Sequence, residues 1–209
     1  MSIAQQFLKL AIEKNVLKLG EFTLKSGRIS PYFFNAGLFD DGYSLQLLGD
    51  FFAQTIEHSG IEFDGLFGPA YKGIPLATSI AIAYQHRYQR NIPVTFNRKE
   101  IKDHGEGGEL MGATLKGRIL IVDDVVSAGT SVRQSIDLIQ QSGAQPVAVA
   151  VALDRQEKGQ NELSAMQELT AQFDLQTTAI AGLDDLMAML PDGSGDAERV
   201  ADYRQRYGC

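Results

Sequence analysis

Apolar residues Ile3, Phe7, Leu10, Ala11 and Leu17 recur at helical spacing behind Ser2 and Gln5, a pair able to close a capping box. They predict an N-terminal helix. The turn-rich stretch from Gly20 to Gly42, carrying Phe22, Leu24, Tyr32, Phe33 and Phe34, predicts a β-hairpin. Asp40 or Asp41 can cap a second helix whose apolar stripe is Tyr43, Leu47, Leu48, Phe51, Phe52 and Ile56. Beyond it, short apolar strands at Gly65–Gly68, Pro93–Asn97, Arg118–Val122 and Pro146–Leu153 alternate with helical stretches at Gly73–Gln85 and Thr130–Gln141. The runs Ile119–Val122 and Val147–Leu153 lack polar alternation, as strands covered on both faces do. This alternation predicts an α/β fold: a parallel sheet with helices on both faces. Gln176–Ile180 is a weaker strand candidate, and helices are expected over Glu162–Phe173 and Ala197–Tyr207.

One segment breaks the pattern. From Arg98 to Glu109 there is one apolar side chain, Ile101, among charged residues and three glycines. Such a stretch buries too little surface to offset its ordering entropy, which predicts a mobile loop over about 98–110. Long loops inside compact domains are usually functional, although composition also allows a solvated linker.

At 209 residues the chain suits a single domain, 1–209. The balance of 19 Lys+Arg against 26 Asp+Glu, net charge -7, argues against nucleic acid as a partner. Cys209 is the single cysteine. That excludes an intramolecular disulfide framework and zinc sites built on several cysteines, and suits a reducing cytoplasm. The N-terminus lacks the features of a secretory signal. The longest apolar run, Val147–Leu153, is far short of the ~20 residues that span a bilayer. A cytoplasmic protein with no membrane partner is the expectation.

The densest chemistry lies where the buried run Ile119–Val122 meets Asp123-Asp124, then the small-residue turn Ser127–Gly129, then a helix from Thr130. In open parallel sheets, ligands bind beyond the carboxyl ends of strands. The turn Ser127–Ser131 offers backbone N–H groups, hydroxyls and a helix N-terminus, which suit an anion. Asp123 and Asp124 accept hydrogen bonds, so they suit vicinal hydroxyls or a magnesium-bound group. Acceptors for a diol beside donors for a phosphate describe a sugar phosphate. The plainer alternative is an N-cap plus a buried acidic pair.

Gly68–Gly73 has the glycine spacing of a P-loop, but Ile74-Pro75 stands where Lys-Ser/Thr is required. It can still hold a second anion through backbone N–H groups and Lys72, unless Lys72 is simply a solvated lysine at a helix start. No G-x-G-x-x-G follows a strand and no G-x-S-x-G elbow exists. His58 and His86 lack a second ligand at metal spacing and read as surface or helix-end residues.

The run Val122–Ser131 resembles the phosphoribosyl-pyrophosphate (PRPP) signature of type I phosphoribosyltransferases. Further features, in order and over nearly the whole chain, resemble the orotate phosphoribosyltransferase family. They are Lys25-Ser-Gly-Arg28 with Tyr32–Asn35, Gly68–Gly73, Arg98-Lys99 with Lys102 and His104, and Leu153-Asp-Arg155. Ser127 stands where many members carry threonine. The resemblance implies magnesium-dependent transfer of ribose 5-phosphate from PRPP to orotate, giving orotidine 5′-monophosphate and pyrophosphate, in pyrimidine nucleotide synthesis. It also implies a small hood made from about residues 1–40 and part of the C-terminal region, and a homodimer in which one subunit's loop reaches the other's site.

Carried onto this sequence, the resemblance assigns PRPP to Lys25, Tyr71, Lys72, Arg98, Lys99, Lys102 and His104. It adds Asp123, Asp124, Val125, Val126, Ser127, Ala128, Gly129, Thr130 and Ser131. Lys99, Lys102, His104 and Asp124 would take part in catalysis. Orotate would meet Phe33, Phe34, Ser127 and Arg155, whose planar fork matches a carboxylate. Core packing of Phe33-Phe34, and an ion pair of Arg155 with Asp154 or Glu157, are the alternatives. Magnesium would arrive with PRPP, near Asp123 and Asp124, with no ligand assigned directly. Two rival readings remain at this point: transfer to another nucleobase, and a PRPP-binding regulator without turnover.

Overall fold

The computed structural model describes residues 1–24, 26–102, 108–126, 129–158 and 162–209, with the backbone alone at 101 and 102. The capping box of Ser2 and Gln5 starts α1 (Ile3–Glu13). The chain leaves this helix at Asn15, in the left-handed region, so Leu17 opens β1 (Leu17–Thr23) instead of extending the helical stripe. β1 pairs antiparallel with β2 (Ile29–Phe34) as a separate two-stranded sheet. Asp41 caps α2 (Gly42–Ser59), and Leu48, Phe51, Phe52 and Ile56 of the expected stripe are buried. Tyr43 is not; it lies in the first turn, 65% exposed.

Six strands build the main sheet: β3 (Gly65–Gly68), β4 (Val94–Lys102), β5 (Gly108–Gly112), β6 (Arg118–Asp123), β7 (Gln145–Asp154) and β8 (Gln176–Gly182). Their order is β5-β4-β3-β6-β7-β8, parallel throughout except for the antiparallel β4–β5 pair. Helices α3 (Gly73–Tyr88), α4 (Thr130–Gln141) and α5 (Ala165–Phe173) connect the parallel strands. Two helices end the chain, α6 (Leu183–Met189) and α7 (Gly195–Tyr207). The first has only seven residues, too few for apolar periodicity to announce it.

Strand alternation sorts the core into two layers. Leu120 and Val122 of β6, with Ala148, Ala150 and Ala152 of β7, join the core shared with α1, α2 and α3. Ile119 and Ile121, with Val149 and Val151, pack with α4 and α5. Covering on both faces accounts for the uninterrupted apolar runs.

The segment predicted as a loop over 98–110 is different: Arg98 to Lys102 continue β4, and Gly108 to Leu110 belong to β5. Thr95 pairs with Gly112, Phe96 with Met111, Asn97 with Leu110 and Lys102 with Gly108. Backbone pairing at a sheet edge orders a segment whose side chains bury little, so an apolar count misses it. Charged side chains are common on such edges. Residues 103–107 lie outside the described residues.

Helices α2 and α3 approach closely at Gly49, where a Cβ would stand 2.4 Å from the Ser79 carbonyl oxygen. Gly49→Ala is therefore expected to lower stability by about 1–3 kcal/mol through overpacking. Urea unfolding of the two proteins measures this, and equal stability would contradict the close approach.

Candidate active site

Between β3 and β6 the chain parts in two directions. β3 leads through α3 to β4 on one side, and β6 leads through α4 to β7 on the other. Helices leave this switch point from the carboxyl ends of adjacent strands, which opens a crevice there. α1, α2, α5 and α7 each have a serine or aspartate N-cap accepting from the first turn. α3 and α4, which flank the crevice, have no side-chain cap at Lys72 and Gly129. The first-turn donors of α4 suit an anion.

The turn after β3 is tightly built. A Cβ on Gly68 would lie 2.3 Å from the Gly73 carbonyl oxygen, and one on Gly73 would lie 2.6 Å from Pro69 Cδ. The Ala70–Tyr71 peptide is cis. Asn97 of β4 accepts the Ala70 N–H at 2.7 Å, while the Gly73 and Ile74 N–H groups donate to Pro69 and Tyr71 carbonyls. Two of the Gly68–Gly73 backbone donors expected for a second anion, those of Ala70 and Gly73, are thus already used, as is the following Ile74 N–H, and that role shifts toward the Lys72 ammonium. Nothing in the sequence singled out Asn97; a polar residue closing the run Val94–Phe96 was the available signal.

Lys72 Nζ reaches Asp124 Oδ2 at 2.6 Å, joining the two sides of the crevice. Asp124 is 5% exposed, and its carbonyl accepts the Ala152 and Leu153 N–H groups, fixing the end of β6 against β7. The Asp123 carboxylate accepts the Asp124 N–H at 2.9 Å. Burial, and then the Asp124 charge, push the Asp123 carboxyl up to about 7, opposed in part by the Asp124 N–H and by Ser131. Val125 is half-buried and Val126 buried, so their side chains serve packing. Gly129 is buried, and Thr130 and Ser131 are both exposed at the start of α4. Ser127 and Ala128 lie outside the described residues, as do Lys25 and His104; Lys102 is seen only as backbone of β4.

On the β4 side, Lys99 Nζ lies 4.7 Å from the centroid of the exposed Tyr71 ring. Arg98 donates to the Gly108 carbonyl at 3.1 Å across the hairpin. An open cleft of about 480 Å³ runs between the hairpin and α4, lined by Ala70, Asn97, Lys99, Glu109, Ser131 and Gln134 among others.

Phe33 and Phe34 separate, because successive strand residues face opposite ways. Phe34 is buried against Phe7, whereas Phe33 is 41% exposed and stacks on Phe22. The two rings therefore do not face one ligand together; the core-packing alternative holds for Phe34. Arg155, directly after β7, pairs with Glu157 at 2.6 Å and lies 4.4 Å from the Tyr32 ring centroid. The ion pair foreseen with Glu157 is present, but nearly buried. Arg155 and Phe33 address opposite faces of β2.

Among the described residues, no group of three or more His, Cys, Asp or Glu could hold a metal ion. Magnesium commonly uses one or two carboxylates together with waters and substrate phosphates. Asp123 and Asp124 therefore fit an ion that arrives with a pyrophosphate and do not make a cage of their own. No helix of the described residues is long and apolar enough to cross a membrane.

A buried carboxyl with a raised pKa favours the protonated native state, so its contribution to stability falls as pH rises from the ordinary carboxylate range through about 7. Asp123→Asn should consequently gain stability relative to the parent protein between pH 5 and 8. Urea unfolding at both ends measures the difference; a pH-independent difference would contradict burial of that carboxyl.

The phosphoribosyl transferase domain model matches residues 38–177. An orotate phosphoribosyltransferase of Neisseria meningitidis serogroup C is 58% identical over 207 residues, covering 98% of this chain and 97% of that protein. One from Thioalkalivibrio sulfidiphilus is 56% identical over 206 residues, covering 97% of each. The crystal structure of the Francisella tularensis orotate phosphoribosyltransferase superimposes with a TM-score of 0.87 at 38% identity, covering 98% of this chain and all of that one. Together with the acidic pair and the uncapped helix at the end of β6, these likenesses identify the chain as a member of the orotate phosphoribosyltransferase family.

Proposed function

We propose that the chain transfers the ribose 5-phosphate group of PRPP to orotate, releasing pyrophosphate and forming orotidine 5′-monophosphate for pyrimidine synthesis. The observation that carries this reading is the buried Asp123-Asp124 pair running into the uncapped N-terminus of α4. Full-length identity to proteins named orotate phosphoribosyltransferases supports orotate as the base.

In this reading Asp123 and Asp124 accept the ribose hydroxyls, and the turn Ser127–Ser131 takes the 5′-phosphate. Lys72 exchanges Asp124 for pyrophosphate oxygens, beside Tyr71. As the bond to pyrophosphate breaks, the anomeric carbon becomes electron-poor and negative charge gathers on the leaving group. Arg98, Lys99, Lys102 and His104 meet that charge, and Lys25 belongs to the same PRPP site. A positioned base nitrogen can then attack without a covalent enzyme intermediate. Orotate lies by the backbone of Phe33 and Phe34 and by Ser127, with its carboxylate on Arg155. Magnesium, arriving with PRPP near Asp123 and Asp124, supplies charge neutralisation on the phosphates.

The β1–β2 hairpin with α7 corresponds to the hood, an arrangement supported by the edge-to-face contact of Tyr32 and Tyr203. A homodimer sharing the segment around 98–110 is supported by exposed apolar side chains such as Ile82 and Met111. Cytoplasmic placement rests on the free Cys209.

Loss of orotate absorbance with PRPP and magnesium tests the reaction directly; no loss at micromolar enzyme would refute it. Lys99→Ala or Lys102→Ala should raise the barrier to turnover by about 2–4 kcal/mol, as lost donors to a developing charge do. Unchanged kcat in both variants would remove these lysines from the leaving-group site.

A further inference from the structure

Glu157 is the hub of a charge cluster at the end of β7. Its Oε1 meets Arg155 Nη2 at 2.6 Å and accepts from the Tyr32 hydroxyl at 3.3 Å. Its Oε2 faces Arg28 Nη1 at 3.7 Å. Arg155 also donates to Ser30 Oγ at 3.2 Å. The side chains of Arg155 and Glu157 are only 11% and 12% exposed.

The backbone on either side of Glu157 is held from outside the strand. Lys158 N–H donates to the Tyr207 carbonyl at 2.8 Å, and Cys209 N–H to the Gln156 carbonyl at 3.1 Å. Arg204 Nη1 donates to the same Gln156 carbonyl at 3.0 Å. Arg28 donates to the Lys158 carbonyl at 3.1 Å while stacking on Tyr207. The end of α7 and the β1–β2 hairpin together therefore set where Glu157 stands.

The charges do not balance. Two guanidinium groups, Arg28 and Arg155, share one carboxylate. Among the described residues, Lys158 is paired with Glu162 and Arg204 with Asp184, and the Asp154 carboxylate, which accepts the Gln156 N–H at 2.9 Å, forms no ion pair with Arg28 or Arg155. Glu157 holds Arg155 through one nitrogen and divides its oxygens between two cations, instead of the bidentate pairing that would occupy the fork. A guanidinium held at one corner is oriented without being used up. Within these direct contacts one unit of positive charge is unmatched, on a nearly buried residue where an anion is poorly screened and strongly felt.

We propose that Glu157 is a positioning and specificity-determining residue. By fixing Arg155 at one corner and sharing Arg28, it leaves the cluster one negative charge short, so that the site selects a planar base bearing a single carboxylate. This rests on Arg155 as the carboxylate-binding residue. A neutral base leaves the excess charge unanswered and gains nothing from the fork, which is how a difference in affinity arises. Tyr32 and Ser30 bound the guanidinium on the hood side and limit its swing.

The test is steady-state kinetics with orotate and PRPP varied separately, for the parent protein, Glu157→Gln, Glu157→Asp and Arg155→Ala. Glu157→Gln should raise the orotate KM about fivefold or more relative to the PRPP KM, the scale of one lost charge-assisted contact. Glu157→Asp, which keeps the charge on a shorter side chain, should recover part of that ratio and leave a rise of about twofold or more. An orotate KM that falls, or that moves no more than the PRPP KM, while Arg155→Ala still raises it, overturns the role of Glu157 and leaves Arg155 standing. No selective rise in Arg155→Ala overturns both. Should Glu157→Gln fail to fold, orotate calorimetry on Glu157→Asp decides: affinity weakened about twofold or more supports the positioning role, and unaltered affinity refutes it.

Discussion

The ion pair of Lys72 and Asp124 spans the point where the sheet's connections diverge, and the rest of the site is arranged around it. Asp124 is buried and Lys72 half-exposed, so the two partners stand unequally. A buried carboxylate without a cation or donors is costly, whereas an exposed lysine loses little by leaving. The pair therefore suits a site awaiting a ligand that brings hydroxyls for the acid and phosphate oxygens for the base. Asp123, its carboxyl raised by burial and by its neighbour, belongs to the same economy of charge.

Backbone architecture prepares this exchange. The Gly68–Gly73 turn brings Lys72 to Asp124 because neither glycine position has room for a side chain, and Asn97 fastens the turn to β4. On the far side, β6 ends against β7 through the Asp124 carbonyl. Two helices open on the crevice without side-chain caps, in a protein that caps most of its other helices with serine or aspartate. At α4 the first-turn donors stay open at a ligand site, a local departure from self-satisfaction of the kind that marks function.

Much of this was legible in the sequence because burial writes a strong pattern. β3 and α4 have the predicted limits, β6 extends its own by one residue and β7 by one at each end, since uninterrupted apolar runs are what two-sided covering demands. Ser2 and Asp41 announced their helices through local hydrogen bonding. The β4–β5 hairpin was hidden because backbone pairing, not apolar side chains, orders it. Phe33 and Phe34 looked alike in the sequence and were separated by strand alternation. Asn97 and the sharing of Glu157 between Arg28 and Arg155 depend on contacts between distant segments, to which spacing along the chain is blind.

A crystal structure with PRPP and magnesium tests the central exchange most directly. The expected result has ribose hydroxyls within hydrogen-bond distance of Asp123 and Asp124, with Lys72 moved from Asp124 onto pyrophosphate oxygens. PRPP bound elsewhere, with Lys72 still on Asp124, would contradict it.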